Sequence, residues 1–465
     1  MDRQGSKRGP EPAGKRARFT IAHINDFQAR YTDRMGGRSR YAYVAGYLRA
    51  LKREVPQTLV LDAGDDYEKG SLAELRSMGE TTRRMIQALP IDVRTIGNHD
   101  FSYGEAAVVR DVELSAHPVL AANVRYEREG KPLFVPFVKA QVGCVRVGIV
   151  GLVTQNYGAD DQPSREPFCG VFQQDPRYTS VLEREVRAHR GEVDVMIALT
   201  HLGMYEDVSL ATAVPGVDLV VGAHTEDLLK EPRLVMRPDG SRAWVLQAGH
   251  YAETLGRADL VWDPKDRSLS FDKYRIVDVD TSLPHDDDVA RLADALEKDA
   301  VPDLHAVVGT TRGEIKPGKE MADLLYRAVQ DRWAADALVV GRDHFWEGLP
   351  RGPMTLARVY RTVLVQREPT GTSGFSSLWV AEVSGEELLA LKAQMTGASA
   401  YEMYTPYPIA PKRTYRLVMD KRAMVHPGYA FLGGARPPTG RFGGEIIDVL
   451  ESYAKARSAA GATLD

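Results

Sequence analysis

The sequence predicts an α/β protein of layered sheet and helix, followed by a second, smaller α+β domain. Three observations carry this. The chain has 465 residues, more than one ordinary hydrophobic core accommodates. Its first half alternates short, β-branched apolar runs with helix-like stretches, the pattern of a largely parallel sheet. Five of those strand-like runs end in residues of metal-ligand type, and ligands in open α/β sheets gather at the carboxyl ends of strands.

Composition narrows the class further. Apolar residues make up 43% and charged residues 27% of the chain, as in a soluble globular protein. With 60 Lys+Arg against 64 Asp+Glu, the formal charge of −4 gives no electrostatic case for a nucleic acid or membrane partner. The two cysteines, Cys144 and Cys169, make neither a disulfide framework nor a metal-binding pair, which favours a reducing, cytoplasmic setting. No apolar run approaches the roughly 20 residues needed to span a bilayer.

In chain order, residues 1–18 are polar and basic (Arg3, Lys7, Arg8, Lys15, Arg16, Arg18), without the apolar stretch of a secretory signal. They read as a solvated, disordered tail; a nuclear address or anion-binding arm is the alternative. Residues 19–282 form the first domain. Phe19–Asn25 reads as a strand, Tyr41–Glu54 as a helix and Thr58–Asp62 as a buried strand. Val93–Ile96, Val145–Val150, Val193–Leu199 and Asp218–Val221 supply further strands. Residues 283–305, with Asp286-Asp287-Asp288 ahead of an amphipathic stretch, read as a linker helix, and 306–465 as the second domain.

The chemistry sits just past the strands. A dinuclear metal site needs a bridging carboxylate and enough oxygen and nitrogen donors for two coordination shells. Asp26 and Gln28 follow the first strand, Asp65 the next, Asn98 the third, and His201, His224 and Glu226 later ones. Asp65, in a Gly64-Asp65 turn, is the natural bridge. His99 would stand beside the metals as a general acid. Singly, each residue is better read as a turn, a cap or a core histidine; together and in order they point to a metal centre.

The segments Asp26-Phe27-Gln28, Gly64-Asp65, Gly97-Asn98-His99-Asp100, Thr200-His201-Leu202-Gly203 and Gly222-Ala223-His224-Thr225-Glu226 resemble the calcineurin-like metallophosphoesterase superfamily. Ala22-His23-Ile24-Asn25, Leu61-Asp62-Ala63 and Gln247-Ala248-Gly249 are similar to its 5′-nucleotidase branch, and Gly352-Pro353-Met354-Thr355 and Val383–Leu389 agree more loosely. The resemblance implies a β-sandwich flanked by helices and a second domain of the 5′-nucleotidase C-terminal type. It also implies two divalent metal ions and hydrolysis of a small phosphate ester. By the same carry-over, Asp26, Gln28, Asp65 and Glu226 hold the first ion and Asp65, Asn98, His201 and His224 the second, while His99 acts on the leaving oxygen.

Four departures qualify that expectation. Position 28 is Gln where the superfamily's first motif ends in His, and position 226 is Glu where the last ends in His or Gln. The first metal position is therefore all oxygen, suiting Mn²⁺, Fe²⁺ or Mg²⁺, whereas Zn²⁺ is compatible with the second. Ser102 stands where related nucleotidases place an aspartate to orient the histidine, predicting a weaker His99 unless Asp100 turns inward. The usual nucleobase-binding motif is missing. The Val340–Gly348 stretch does not carry it and Gly433-Gly434 lacks the aromatic expected just after it, so Arg342, Phe345, Trp346, Tyr401 and Tyr404 are the substrate-binding candidates, or simply core and interface residues. His250 is a further substrate candidate, and Thr372–Ser377 reads as a loop. The expected function is hydrolysis of a phosphomonoester of a small intracellular molecule, a nucleotide or modified nucleotide among them. A recruited dinuclear enzyme with different, even iron-dependent redox, chemistry and a non-catalytic scaffold are the alternatives.

Overall fold

The computed structural model describes residues 16–128, 130–156, 163–363, 376–395, 401–421, 423 and 440–465. The basic tail up to Lys15, most of the Thr372–Ser377 stretch and Gly433-Gly434 lie outside the described residues. Two compact units emerge, the first comprising 1–156 and 165–296, the second 157–164 and 297–465. The helix Asp287–Ala300 crosses the division between them.

In place of one largely parallel sheet, the first unit has two mixed sheets of six strands each. The first sheet runs, in spatial order, Ser268–Asp278, Thr254–Asp263, Ala17–Ile24, Thr58–Asp62, Val93–Thr95 and Val119–Leu120. Its last four strands are parallel, and the other two pair antiparallel. Ala17 and Arg18 belong to the first strand rather than to the tail. The second sheet runs Phe137–Val142, Val145–Val153, Val195–His201, Leu219–Val221, Arg242–Leu246 and Arg233–Met236, parallel at its centre with antiparallel edges.

The strands read as unbroken apolar runs because both of their faces are buried. Successive side chains alternate between faces, so each run feeds two cores. Ile21, Leu59, Leu61, Ile197, Leu199, Leu219 and Val221 meet between the sheets. Ala22, Ile24 and Val60 face outward onto the helix Arg40–Glu54, through Leu48 and Leu51. Met196, Ala198 and Val220 pack on the opposite outer side against the helices Tyr178–His189 and Met204–Ala213, through Val181, Leu182 and Leu210. The unit is thus a helix–sheet–sheet–helix sandwich, a layered α/β fold. Strands ending in ligand-type residues are contributed by both sheets: three by the first and two by the second.

The second unit is built on a five-stranded sheet in the order Tyr401–Tyr404, Ala337–Gly341, Thr414–Asp420, Ser377–Ser384, Arg441–Glu445. Ala337–Gly341 and Thr414–Asp420 are parallel, and the other pairings are antiparallel. Val339, Leu388, Leu391, Leu417 and Met419 form its core, and the helices Lys319–Trp333, Gly385–Met395 and Ile446–Ala459 belong to this α+β unit. No helix among the described residues is long and apolar enough to cross a membrane.

Candidate metal centre

The loops that leave the strands are tied to one another by backbone hydrogen bonds. Asp26 N donates to Gly64 O at 2.9 Å, Gln28 N to Asp65 O at 2.9 Å, and Ala29 N to Asp66 O at 2.7 Å. Two glycines let a third loop come close. Gly64 has φ +85° and an added Cβ would lie 2.5 Å from Gly97 N, while a Cβ on Gly97 would overlap the Asp65 carboxylate. Five predicted ligands are themselves left-handed: Asp26 (φ 53°), Gln28 (45°), Asp65 (59°), His224 (79°) and Glu226 (58°). For non-glycine residues each such conformation costs on the order of 1 kcal/mol, and that strain gathers where side-chain placement overrides backbone comfort.

Asp65, His201 and His224 bring one ligand atom each to within 4.8 Å of one another. Asp65 Oδ2 lies 3.1 Å from His201 Nε2, and Asp65 Oδ1 accepts the His99 backbone N–H at 2.8 Å. His201 Nδ1 lies 2.8 Å from the Ala63 carbonyl. A carbonyl only accepts, so Nδ1 carries the hydrogen and Nε2 is left free to ligate. Asp26 Oδ2 accepts from Asn25 Nδ2 (2.7 Å) and His224 N (3.2 Å), which leaves Oδ1. Gln28 Nε2 donates to Glu226 Oε1 at 3.1 Å, which leaves the amide oxygen. His250 Nδ1 sits 3.1 Å from Glu226 Oε2, and Lys69 Nζ 4.0 Å from Oε1.

These leftovers test whether metal ions fit. Asp26 Oδ1, Gln28 Oε1, Asn98 Oδ1 and His201 Nε2 are all buried without a hydrogen-bond partner. Buried polar atoms are almost always paired, so four unpaired atoms, each on a predicted ligand, fit a cation. The electrostatics agree. Burial, only partly offset by His201, raises Asp26 to about 7. Burial works against a charged His201, yet Asp65 and Asp26 raise it to about 10, so a proton collects where a cation would otherwise neutralise the carboxylates. Burial would also raise Asp65, but His201 and His99 hold it below the usual carboxylate range. His224, buried beside His201, is lowered to about 3 and is neutral, as a metal ligand must be.

Asp100 is not placed for catalysis. Its carboxylate accepts the backbone N–H groups of Gly97 (2.6 Å), Asp65 (3.1 Å), Asp66 (2.9 Å) and Tyr67 (3.3 Å), clamping the Asp65 loop to the Asn98-His99 loop. Behind it lies the buried Arg94, with Nε 3.0 Å from Asp66, Nη1 2.8 Å from Asp111, and Asp62 and Asp100 within 4.0 Å. Arg94 and the clamp escaped sequence reading because no spacing announces them. Nor is Ser102 the partner of His99: its backbone N–H bonds the His99 carbonyl, while His99 Nδ1 pairs with Glu68 Oε2. Glu68 and Lys69, three and four residues past Asp65, were the available signal.

The substrate candidates separate by exposure. His250 is part of the Glu226 cluster. Phe345 is buried at 4% exposure, so it is a core residue of the second unit and unavailable for stacking. Trp346 is 48% exposed and Tyr401 half-buried. Arg342 Nε donates to Glu402 Oε1 at 2.6 Å, and the strand register sets Gly341 opposite Tyr401. The Tyr404 hydroxyl donates to Asp323 Oδ1 at 2.6 Å.

A four-layer sandwich with carboxylates and histidines gathered at the strand ends defines the class of metal-binding α/β domains. Residues 19–226 match the calcineurin-like phosphoesterase family. An apyrase of Tabanus yao is 27% identical over 280 residues, covering 54% of this chain and 50% of that protein. The human 5′-nucleotidase is 28% identical over 314 residues, covering 59% and 52%. The chain spans about half the length of these curated relatives. A 5′-nucleotidase precursor of Thermus thermophilus shares the fold with TM-score 0.71 at 21% identity, over 95% of this chain and 96% of that one. The sulfate thiohydrolase SoxB of the same organism does so with TM-score 0.65 at 18% identity, over 96% and 94%. The calcineurin-like phosphoesterase match thus begins and ends within the first unit, and the chain is similar to 5′-nucleotidases in sequence and in fold.

Proposed function

We propose that this chain is a phosphoric ester hydrolase that binds two divalent metal ions and cleaves a phosphomonoester of a small molecule, nucleotides and modified nucleotides included. The observation that carries the reading is the group of unpartnered ligand atoms around Asp65. Asp26, Gln28, Asp65 and Glu226 would hold one ion, and Asp65, Asn98, His201 and His224 the other. The all-oxygen set favours Mn²⁺, Fe²⁺ or Mg²⁺ at the first position, and the two histidines admit Zn²⁺ at the second. When bound, the ions supply an activated water and neutralise phosphoryl charge. Asn25 and the His201–Ala63 bond orient the ligands, and His99 Nε2, 3.9 Å from Asp65 Oδ2, is the group that hands a proton to the leaving oxygen. Arg342, Trp346 and Tyr401 are the second unit's candidates for substrate contact. We place the work of this enzyme in the cytoplasm, on the cysteine usage.

The test is phosphate release from a panel of phosphomonoesters by metal-loaded chain. His99→Ala is expected to lower turnover by about 10²–10⁴-fold with metal content unchanged. A metal-loaded chain that releases no phosphate across the panel removes the reading. The altered, all-oxygen donors Gln28 and Glu226 at the first position favour a second reading, a recruited dinuclear enzyme performing another hydrolysis or an iron-dependent redox reaction. Metal analysis and an oxygen-dependent spectral change would reveal the iron version.

A further inference from the structure

Resting on that reading, we propose that Glu68 is the positioning residue for His99, doing from a different loop what related nucleotidases do with an aspartate at the place of Ser102. Glu68 Oε2 meets His99 Nδ1, and the Glu68 side chain is 1% exposed against 19% for the histidine. The His99 backbone is already held by Asp65 Oδ1, so ring rotation is the freedom left, and the carboxylate removes it. With Nδ1–H donated to Glu68, Nε2 is the nitrogen turned toward Asp65.

The arrangement is built rather than incidental. Glu68 sits at φ 73°, a costly conformation for a glutamate. Its N–H donates to Glu74 Oε1 at 2.6 Å, an oxygen that also accepts the Tyr103 hydroxyl at 2.6 Å. Thr82 donates its hydroxyl to Glu74 Oε2, and Ser71 Oγ accepts the Glu74 N–H at 3.2 Å. A buried glutamate with every bond assigned thus holds the backbone of a second glutamate in a strained turn, and the second holds the histidine. Glu68 is not one of the clustered ligands Asp65, His201 and His224. In the transfer, a water oxygen bonds to phosphorus as the bond to the leaving oxygen breaks. The electron pair stays with the leaving oxygen, which takes the Nε2 proton, while Glu68 keeps its charge and its bond to Nδ1–H throughout. Products are the alcohol, inorganic phosphate and a neutral imidazole that solvent reprotonates.

The experiment uses the full metal-loaded chain and two esters, 4-nitrophenyl phosphate, whose leaving group needs no proton, and adenosine 5′-monophosphate, whose alkoxide does. Glu68→Gln is expected to lower kcat on the nucleotide by about 100-fold with KM within about twofold and metal content unchanged. On the nitrophenyl ester the loss should stay under about fivefold. His99→Ala combined with Glu68→Gln should be no worse than His99→Ala alone. Equal loss on both esters, or losses that multiply in the double variant, overturns the assignment. Glu68→Asp is read in the same way should the glutamine variant fail to fold. Independently of turnover, nitrogen-15 spectra of the Mg²⁺-loaded wild-type chain should show a hydrogen-bonded Nδ1–H on His99 that disappears in Glu68→Gln or shifts in Glu68→Asp; an unchanged signal overturns the proposal. A wild-type chain inactive on both esters but showing that Nδ1–H would remove the hydrolase reading and leave the pairing standing.

Discussion

The two sides of the Asp65 loop are both crowded with buried carboxylates, and they resolve the crowding in opposite ways. On the back, Asp62, Asp66, Asp100 and Asp111 surround Arg94, a cation the chain supplies itself. On the front, Asp26, Asp65 and Glu226 stand with His201 and His224 and with ligand atoms that have no hydrogen-bond partner among the described residues. Burying charge without a partner is expensive on either side. The back is therefore neutralised by its own guanidinium, although Asp62 Oδ2 and both Asp66 carboxylate oxygens lack a hydrogen-bond partner there too, whereas the front offers mixed oxygen and nitrogen donors to an external cation. Carboxylate, amide and histidine donors gathered around one carboxylate, rather than acidic residues or unpaired atoms as such, are what mark a metal centre.

The largest expected effect falls on the back. Arg94→Ala strands Asp66 and Asp111 and should cost about 3–5 kcal/mol, measured by denaturant unfolding. A loss below about 1 kcal/mol would mean that the aspartates there are neutral and the contrast false. On the front, saturating divalent metal at about 100 times its Kd should stabilise the stripped chain by about 2.7 kcal/mol. Because the ion must displace the proton that His201 holds up to about 10, its affinity should rise with pH, about tenfold per unit for one proton, and Asp65→Asn should abolish the stabilisation. Between the sides, Gly97→Ala pushes a methyl into the Asp65 carboxylate and should lower metal affinity at least tenfold while melting less than Arg94→Ala does.

Beside the site the expected effect is a change of slope with pH rather than a loss at fixed pH. Asp207, buried with Thr200 Oγ1 donating to it at 2.6 Å, is raised by burial to about 8. The folded chain then holds a proton that the unfolded chain has lost. This contribution is full below about pH 4 and fades as pH rises through about 8, with a slope of up to about 1.4 kcal/mol per unit. Asp207→Asn should flatten the pH dependence of the metal-free chain across that window, and an unaltered profile would show that Asp207 is ionised when folded.

Much of this was legible in the linear chain because it is local. The Thr58–Asp62 strand and the helix up to Glu54 follow from apolar period and β-branching, and Asp26, Asp65, Asn98, His201 and His224 stand out by residue type directly after strands. What those patterns leave open is direction. Asp100 and His99 are neighbours in sequence, yet the 3₁₀ turn His99–Phe101 sends one inward to four backbone N–H groups and leaves the other beside Asp65. Whether Phe345 stacks on a ligand or fills a core is likewise a matter of packing.

Residue order, strand and helix periods and the ligand inventory were therefore set by the sequence itself, since each depends on neighbours within a few positions. The division of the strands between two sheets was decided only in three dimensions, as were the Glu68–His99 pairing and the Arg94 counter-charge. Each depends on contacts between segments tens to hundreds of residues apart, whose partners are selected by burial, and burial belongs to the packed chain as a whole.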